Sequence, residues 1–275
     1  MSILIALLLG AASLEQTFDD ASHSYADDQY LDAVMKYEEL VFRGVQEPEV
    51  FFNLGNAYYR SGYLSPAIAN YERALLLEPT LEAAQDNLIR SVSQTKRGLS
   101  RPQPPAWEQA LLFWHFNLNR QSVAAATLLF WSAAWILLVI RRFKSIPYLR
   151  RSAVVCLVIA LASGTSWWVK AHQEVLAVAA VDNIPVHYGN TLEDTVRFEL
   201  FEGDRVLIEA RTEGWLRIRT PDEERGWVQT QFMISVGPPF GSPTVKLSSE
   251  FDTADDKINQ NSLTREARIN DNPGL

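Results

Sequence analysis

The side chains that most often do chemistry in proteins are few in this chain and lie far apart. The chain has four histidines in four different segments and a single cysteine, which are His23, His115, His172, His187 and Cys156. The sequence contains no His-Glu-x-x-His pair, no glycine-rich phosphate loop, no Gly-x-Ser-x-Gly elbow and no cysteine–histidine pair. Carboxylates are plentiful, but no spacing places two of them in one pocket. We therefore predict a protein that is not an enzyme and that has no metal or cofactor site.

Two uncharged apolar segments lie in the middle of the chain, between residues 121 and 170. They are residues 122–140 and 152–169, and five Lys or Arg residues stand between them in the loop 141–151. A bilayer core requires about 20 apolar residues as helix, with each backbone polar group bonded inside the segment. The pattern predicts a hairpin of two transmembrane helices. The alternative is a buried helical hairpin in a soluble protein, which is less favoured because both segments are apolar on every face.

The basic loop also predicts the orientation of this hairpin. Short loops rich in Lys and Arg stay in the cytoplasm, so the loop 141–151 is predicted to be cytoplasmic and both flanking parts extracytoplasmic. Residues 1–13 agree with this orientation, because the apolar run Ile3–Leu9 and the small residues after it resemble a short signal peptide. The alternative orientation places both flanking parts in the cytoplasm.

Residues 14–94 contain an internal repeat with a period of 34 residues. The second copy reads Phe51-x-x-Leu54-Gly55-x-x-Tyr58 and continues with small, aromatic and helix-ending residues at fixed offsets, which are Ala67, Tyr71, Ala74 and Pro79. This pattern resembles the tetratricopeptide (TPR) repeat, a pair of closely packed helices. The first copy is less regular, and a third, partial unit begins at Leu81. The resemblance predicts an α-helical TPR solenoid with a capping helix.

The TPR resemblance implies that the first helix of each repeat lines a concave groove that binds peptides. The residues expected to face this groove are Phe52, Asn56, Tyr59 and Arg60, joined by Phe18, Ser22 and Tyr25 from the first copy. For each of them the alternative is ordinary surface or packing between repeats. From Glu15 to Arg90 the chain has fourteen acidic and five basic residues, so a neutral or basic partner is favoured over an acidic one.

The segment 95–120 is predicted to be a linker followed by a helix at the membrane surface. Its first part, TKRGLSRPQPPA, is rich in residues that break helices. The second part, Trp107–Leu118, is apolar and aromatic but too short to cross a bilayer, which is typical of a helix at the level of the lipid headgroups.

Residues 171–236 change to short runs of β-branched and aromatic residues separated by turn residues, which predicts a small β-barrel. The runs resemble a bacterial SH3-like (SH3b) domain, and the residues that carry the resemblance are Val186, Leu200 before Glu202-Gly203-Asp204, Trp215-x-x-Ile218 and Gly226-Trp227-Val228. Trp215 is the candidate for a binding surface, and Trp227 is expected to lie in or beside the core. Residues 237–275 are polar and are predicted to form a disordered tail.

The predicted fold class is a multidomain membrane protein with a TPR solenoid, a two-helix transmembrane hairpin and a small all-β SH3-like barrel. This order resembles the BatE-type proteins of bacterial aerotolerance operons over nearly the whole chain. The resemblance implies a location in the bacterial inner (plasma) membrane. It also implies a complex with von Willebrand A-domain membrane proteins and a MoxR-type ATPase.

The sequence thus favours a membrane-anchored scaffold or adaptor for protein–protein interaction. The alternative is a cell-wall sensor whose SH3b domain binds peptidoglycan peptides. Nucleic acid is not an expected partner, because the net charge is −8 and no broad basic surface stands outside the loop.

Overall fold

The computed structural model describes residues 2–98, 106–144, 146, 148–172 and 175–238. The predicted tail from residue 239 onward and the middle of the predicted linker, residues 99–105, lie outside the described residues.

Five helices form the N-terminal part of the chain. They are α1 (Ser2–Ala26), α2 (Tyr30–Phe42), α3 (Pro48–Arg60), α4 (Leu64–Leu77) and α5 (Glu82–Ser93). Each helix packs against the next one, and α3 also contacts both α1 and α5. Helix α1 runs without a break through residues 2–13 of the signal-like segment and into the first repeat.

In both repeats, the turn after the first helix contains one residue in the left-handed conformation, but the residue type differs. After α3, Gly62 has a φ of +86°, and the N–H groups of Gly62 and Tyr63 donate to the carbonyls of Tyr59 and Tyr58. This is the Schellman arrangement that satisfies the last carbonyls of a helix. At the corresponding position after α1, Asp28 takes the left-handed conformation with a φ of +60°.

The four following helices are apolar and include the two predicted transmembrane segments. They are α6 (Ala106–Leu111), α7 (Phe113–Asn117), α8 (Arg120–Phe143) and α9 (Tyr148–Ala171). Helices α8 and α9 are long and apolar enough to cross a membrane. They pack against each other through small buried residues such as Ala134, Ala153 and Ala160, and Thr127 Oγ1 donates to Ser163 Oγ over 3.0 Å.

In residues 175–238, seven antiparallel strands form one sheet. Their bounds are β1 (Val175–Ala179), β2 (Ile184–His187), β3 (Val196–Leu200), β4 (Arg205–Thr212), β5 (Trp215–Arg219), β6 (Arg225–Gln229) and β7 (Met233–Ser235). The spatial order is β3-β2-β6-β5-β4-β1-β7. The buried core of the sheet is aliphatic and includes Ile184, Val186, Leu200, Ile218 and Val228.

The prediction of a closed barrel is wrong. Strands β3 and β7 are the two edges of the sheet, and in the described residues they do not pair with each other. The physical reason is that helix α4 packs against β1 and β7. A helix covers this edge of the sheet, which is one of the ways in which proteins protect an edge strand.

Helix α4 is buried from Ser65 to Ala74 because the helical repeats pack on one side of it and the sheet packs on another. Ser65 Oγ donates to the carbonyl of Ala179 over 2.7 Å, and Arg73 Nη2 donates to the carbonyl of Ser235 over 2.7 Å. Glu72 and Arg205 form an ion pair of 2.8 Å whose side chains are only 9% and 8% exposed. The helical repeats and the sheet are therefore joined by specific polar contacts.

The first residues of the predicted linker add to this junction. Arg97 Nη2 donates to the carbonyl of Glu199 over 3.0 Å, and its Nη1 lies 3.4 Å from the Asp204 carboxylate. The Lys96 ammonium lies 3.7 Å from the centre of the Phe201 ring. Gly203, with a φ of +79°, fits closely here, because a Cβ at this position would collide with neighbouring side chains.

We expect substitution of Glu72 by alanine to destabilise the protein by about 3 kcal/mol, because removing one partner of a buried ion pair leaves a charge that the protein must desolvate. The free energy of unfolding is to be measured by chemical denaturation of the full chain in detergent, followed by tryptophan fluorescence. Glu78→Ala is the matched control, since Glu78 lies one residue beyond the same helix and is exposed. Equal stabilities of the two variants would contradict this account of the junction.

Candidate functional site

The candidate site is the face formed by α1, α3 and α5, which are the first helices of the successive repeat units. We call it the groove face and define it by Ser22, Asn56, Tyr59 and Asn87. Because α3 contacts both α1 and α5, side chains from three units meet there.

A network of hydroxyl and amide groups runs along the groove face. Tyr71 Oη donates to Asn56 Oδ1 over 2.8 Å, and Asn87 Nδ2 donates to the same oxygen over 2.8 Å. One repeat earlier, the hydroxyls of Tyr37 and Ser22 are 2.9 Å apart.

This network follows the period of the sequence repeat. The side chain of Asn53 acts to lower the pKa of Tyr37, and that of Asn87 acts in the same way on Tyr71. The pairs Ser22 and Asn56, Tyr37 and Tyr71, and Asn53 and Asn87 each stand 34 positions apart. The repeat therefore includes the polar groups between the helices as well as the apolar packing.

Burial raises the pKa of both tyrosines in this network, Tyr37 and Tyr71, above the ordinary tyrosine value. Both hydroxyls consequently keep their protons and remain hydrogen-bond donors. The amide oxygen of Asn56 is held by two donors, which fixes the orientation of its side chain.

The four predicted groove residues of the second copy take different positions. Phe52 and Asn56 are half-buried, and the Phe52 ring lies 6.2 Å from the Tyr71 ring. Tyr59 is half-buried, and its hydroxyl accepts a hydrogen bond from Gln94 Nε2 over 2.5 Å. On helix α3, Asn56 follows Phe52 by four positions and Tyr59 follows Asn56 by three, so the three side chains share a face.

Arg60, unlike the other three, contacts the first repeat. Its guanidinium lies 4.5 Å from the centre of the Tyr30 ring and 3.6 Å from the Asp28 carboxylate, and it hydrogen-bonds the Tyr30 hydroxyl. Arg60 therefore links two repeats, which matches the alternative of packing between repeats.

The three residues expected from the first copy are also placed along α1. Phe18 and Tyr25 are half-buried and make edge-to-face ring contacts, Phe18 with Tyr37 at 5.7 Å and Tyr25 with Tyr30 at 5.4 Å. Ser22 takes part in the hydroxyl network described above. All three belong to the groove face, although their side chains already contact other residues.

The residues that the repeat pattern assigns to packing lie between the helices. Leu54, Gly55, Tyr58, Ala67, Tyr71 and Ala74 are buried, and Pro79 follows α4 by two residues. A Cβ at Gly55 would lie 2.7 Å from Tyr71 Cε1, so the glycine allows the close approach of α3 and α4.

A second buried polar cluster lies behind the groove face and reaches the sheet. Tyr58 donates a hydrogen bond to the Glu38 carboxylate, and burial raises the pKa of Glu38 despite this bond. Burial likewise lowers the pKa of the Arg73 guanidinium, while Tyr58 and Glu38 act against that shift. Arg73 thus contacts both repeats electrostatically while it donates to Ser235 in β7.

Sequence reasoning missed Asn87, Gln94 and Tyr30. Asn87 belongs to the incomplete third unit, and its signal was the 34-residue offset from Asn53. Tyr30 begins α2 and had no counterpart in the repeat pattern.

On the sheet, Trp215 is half-buried and its ring makes an edge contact of 5.5 Å with His187. His187 is buried, and its Nδ1 lies 2.7 Å from the carbonyl of Asp194. Trp227 is opposite His187 in the ladder of β2 and β6 and is also half-buried. Both tryptophans alternate with core residues of their strands, so they lie on the outer side of the sheet.

The described residues contain no group of three or more His, Cys, Asp or Glu that could hold a metal ion. The groove face offers amide groups and aromatic rings at a regular spacing, which suits hydrogen bonding and apolar contact with an extended peptide.

A family model of the tetratricopeptide repeat matches residues 48–81, which include all of α3 and α4. No curated protein matches the sequence. The chain thus contains a tetratricopeptide repeat, and such repeats generally mediate protein–protein interaction.

Proposed function

We propose that this protein is a membrane-anchored scaffold whose groove face binds an extended segment of a partner protein. The observation that supports this most directly is the network on Asn56. It holds an amide oxygen between Tyr71 and Asn87 beside the half-buried rings of Phe52 and Tyr59. An orientated amide next to aromatic surface is suited to a peptide backbone and its apolar side chains.

The position of the sheet also supports the groove face as the binding surface. The sheet covers α4, so this side of the second repeat is occupied within the chain. Among the described residues, the sheet does not cover the groove face, which is formed by the other helix of each pair. In this proposal the sheet, whose sequence resembles an SH3b domain, makes a second protein contact.

The proposed anchor is the hairpin of α8 and α9 in a bacterial inner membrane. A chain that crosses a membrane twice returns to the side where it began, as the direct contacts between the helical repeats and the sheet require. The Lys and Arg residues of the loop 141–151 favour a cytoplasmic loop, which places the helical repeats and the sheet on the extracytoplasmic side.

The resemblance to BatE-type proteins supports particular partners. These are von Willebrand A-domain membrane proteins, in a complex that includes a MoxR-type ATPase. The order of the repeat, the two apolar helices and the sheet agrees with that resemblance, and no catalytic arrangement is required for such a role.

Tyr59→Ala should weaken partner binding at least tenfold, because residues in the centre of a recognition surface commonly contribute more than 1 kcal/mol. The measurement is quantitative co-purification of von Willebrand A-domain proteins with the full chain after extraction in mild detergent. Phe42→Ala is the control, since Phe42 is 78% exposed at the end of α2 and lies outside the groove face. Unchanged co-purification of Tyr59→Ala, with the control also unchanged, would refute the groove as the binding surface.

Topology is best tested with single cysteines in the full chain, in a Cys156→Ala background. Ser93→Cys and Thr212→Cys should react with a membrane-impermeant maleimide in spheroplasts, and Lys144→Cys should react only after lysis, because these three residues are exposed on opposite sides of the proposed membrane. The reverse pattern would place the helical repeats and the sheet in the cytoplasm. Reaction of all three in spheroplasts would contradict the hairpin itself.

A second candidate function is cell-wall sensing through the sheet. It is favoured by Trp215 and Trp227, which are half-buried on the outer side of the sheet and could stack on peptidoglycan peptides. In that case the full chain in detergent should sediment with purified sacculi, and Trp215→Ala should remove at least half of the bound protein. Glu213→Ala, an exposed position on the turn between β4 and β5, is the control. No sedimentation of the unmodified chain would exclude this function.

A further inference from the structure

Three arginines surround one glutamate on the outer side of the sheet. Arg217 and Arg219 lie on β5, Arg225 lies on β6, and Glu209 lies on β4. The Nε atom of each arginine faces the same carboxylate, at 3.4 Å for Arg217, 3.3 Å for Arg219 and 2.9 Å for Arg225. This cluster joins three adjacent strands.

The backbone of β4 places Glu209 in the centre of this cluster. The register of β4 and β5 shifts between the pairs Ile208–Ile218 and Ala210–Arg217, and Glu209 stands at the shift. Such irregularities in a ladder often direct a side chain to a new position. The Glu209 side chain is 18% exposed, whereas those of Arg217 and Arg225 are 48% and 51% exposed.

Two of the three guanidinium groups contact Glu209 through Nε and belong to side chains that are about half exposed. Arg219 donates through Nη1 to Glu223 over 2.7 Å and is thereby engaged. For Arg217 and Arg225, the side-chain contacts in the described part of the sheet use Nε and the Glu209 carboxylate. A guanidinium held at Nε still presents Nη groups that can bind a carboxylate.

The surrounding charges limit what this surface can bind. The turn between β5 and β6 carries Asp222, Glu223 and Glu224, so negative charge borders the arginine cluster on that side. A polyanion such as nucleic acid, or an anionic membrane surface, would also approach this acidic turn and be repelled. A compact pair of carboxylates fits the charge distribution better.

We propose that Arg217 and Arg225 form a binding site for neighbouring carboxylates of an acidic segment on a partner protein, with Glu209 as the positioning residue. Trp227 is opposite Arg217 in the ladder of β5 and β6 and supplies an aromatic surface beside the site. The inference rests on the proposed scaffold function, in which the sheet makes the second protein contact, and it gives the chemistry of that contact.

The test is binding of a fluorescently labelled peptide, Gly-Asp-Glu-Asp-Gly with blocked ends, to the full chain in uncharged detergent. The unmodified protein should bind it, and Arg217→Gln and Arg225→Gln should each weaken binding about tenfold. The amide analogue Gly-Asn-Gln-Asn-Gly should not bind. Equal binding of both peptides, or full binding by both variants, would overturn the proposal.

Two further variants distinguish recognition by the planar guanidinium group from a general effect of positive charge. Arg211→Gln removes an exposed arginine of the same sheet and should leave binding unchanged. Arg217→Lys retains the charge but not the planar fork and should weaken binding. Loss of binding in Arg211→Gln to the same extent as in Arg217→Gln would show a non-specific charge effect and overturn the site.

Glu209→Gln tests the positioning role by the sign of its effect. Removing a negative charge would by itself strengthen the binding of an anion. If Glu209 orients the two guanidinium groups, its replacement should instead weaken peptide binding several-fold, and a gain in affinity would overturn this role. Thermal unfolding of each variant shows whether it remains folded, and Arg217→Lys serves as the variant least disruptive to the cluster.

The proposed acidic-segment site and the proposed groove binding can be refuted independently of each other. Tyr59→Ala should leave binding of the acidic peptide unchanged, because the groove face and the arginine cluster share no residue. If the peptide does not bind while Tyr59→Ala still weakens partner co-purification, the scaffold function stands and the acidic-segment site is overturned.

Discussion

The structure depends on the burial of helix α4 between the other repeat helices and the sheet, two parts that the chain separates by about 80 residues. The ion pair of Glu72 and Arg205 lies in this interface with both side chains almost fully buried. Such pairs add little net stability, because desolvation offsets their attraction. A shifted docking, however, would leave a charge buried without its counterpart, at a cost of about 3–5 kcal/mol. The pair therefore selects the position of the sheet on the helix.

Helix α4 also determines which surfaces remain for other molecules. Tyr71 and Arg73 are two residues apart on this helix, yet Tyr71 donates to Asn56 on the groove face and Arg73 donates to Ser235 in the sheet. One helix thus supports the groove and holds the edge of the sheet. Since β7 is covered by α4, the sheet needs no closing strand there, and this explains why the strands do not form a barrel.

Local sequence patterns predicted the elements well, because each element is encoded by its own periodicity. The second repeat, the two apolar helices and the strand-rich C-terminal part are all visible in that way. The junction was not visible, because Glu72 and Arg205 are 133 positions apart and no local pattern links them. The arginine cluster was equally hidden, since Arg217, Arg219 and Arg225 alternate with core residues as polar residues do on any solvated strand.

The rigid junction has a consequence for recognition. If the helical repeats and the sheet were joined by a flexible linker, ligands bound to the groove and to the sheet would act nearly independently. Here Arg73, Arg97 and the buried ion pair hold the two surfaces at one separation. Consider a partner that carries both an extended segment and an acidic segment at the matching distance. Once its first segment is bound, binding of its second segment would be an intramolecular step. Two contacts that are weak alone would then select that partner by geometry, because a mismatched spacing forbids simultaneous binding.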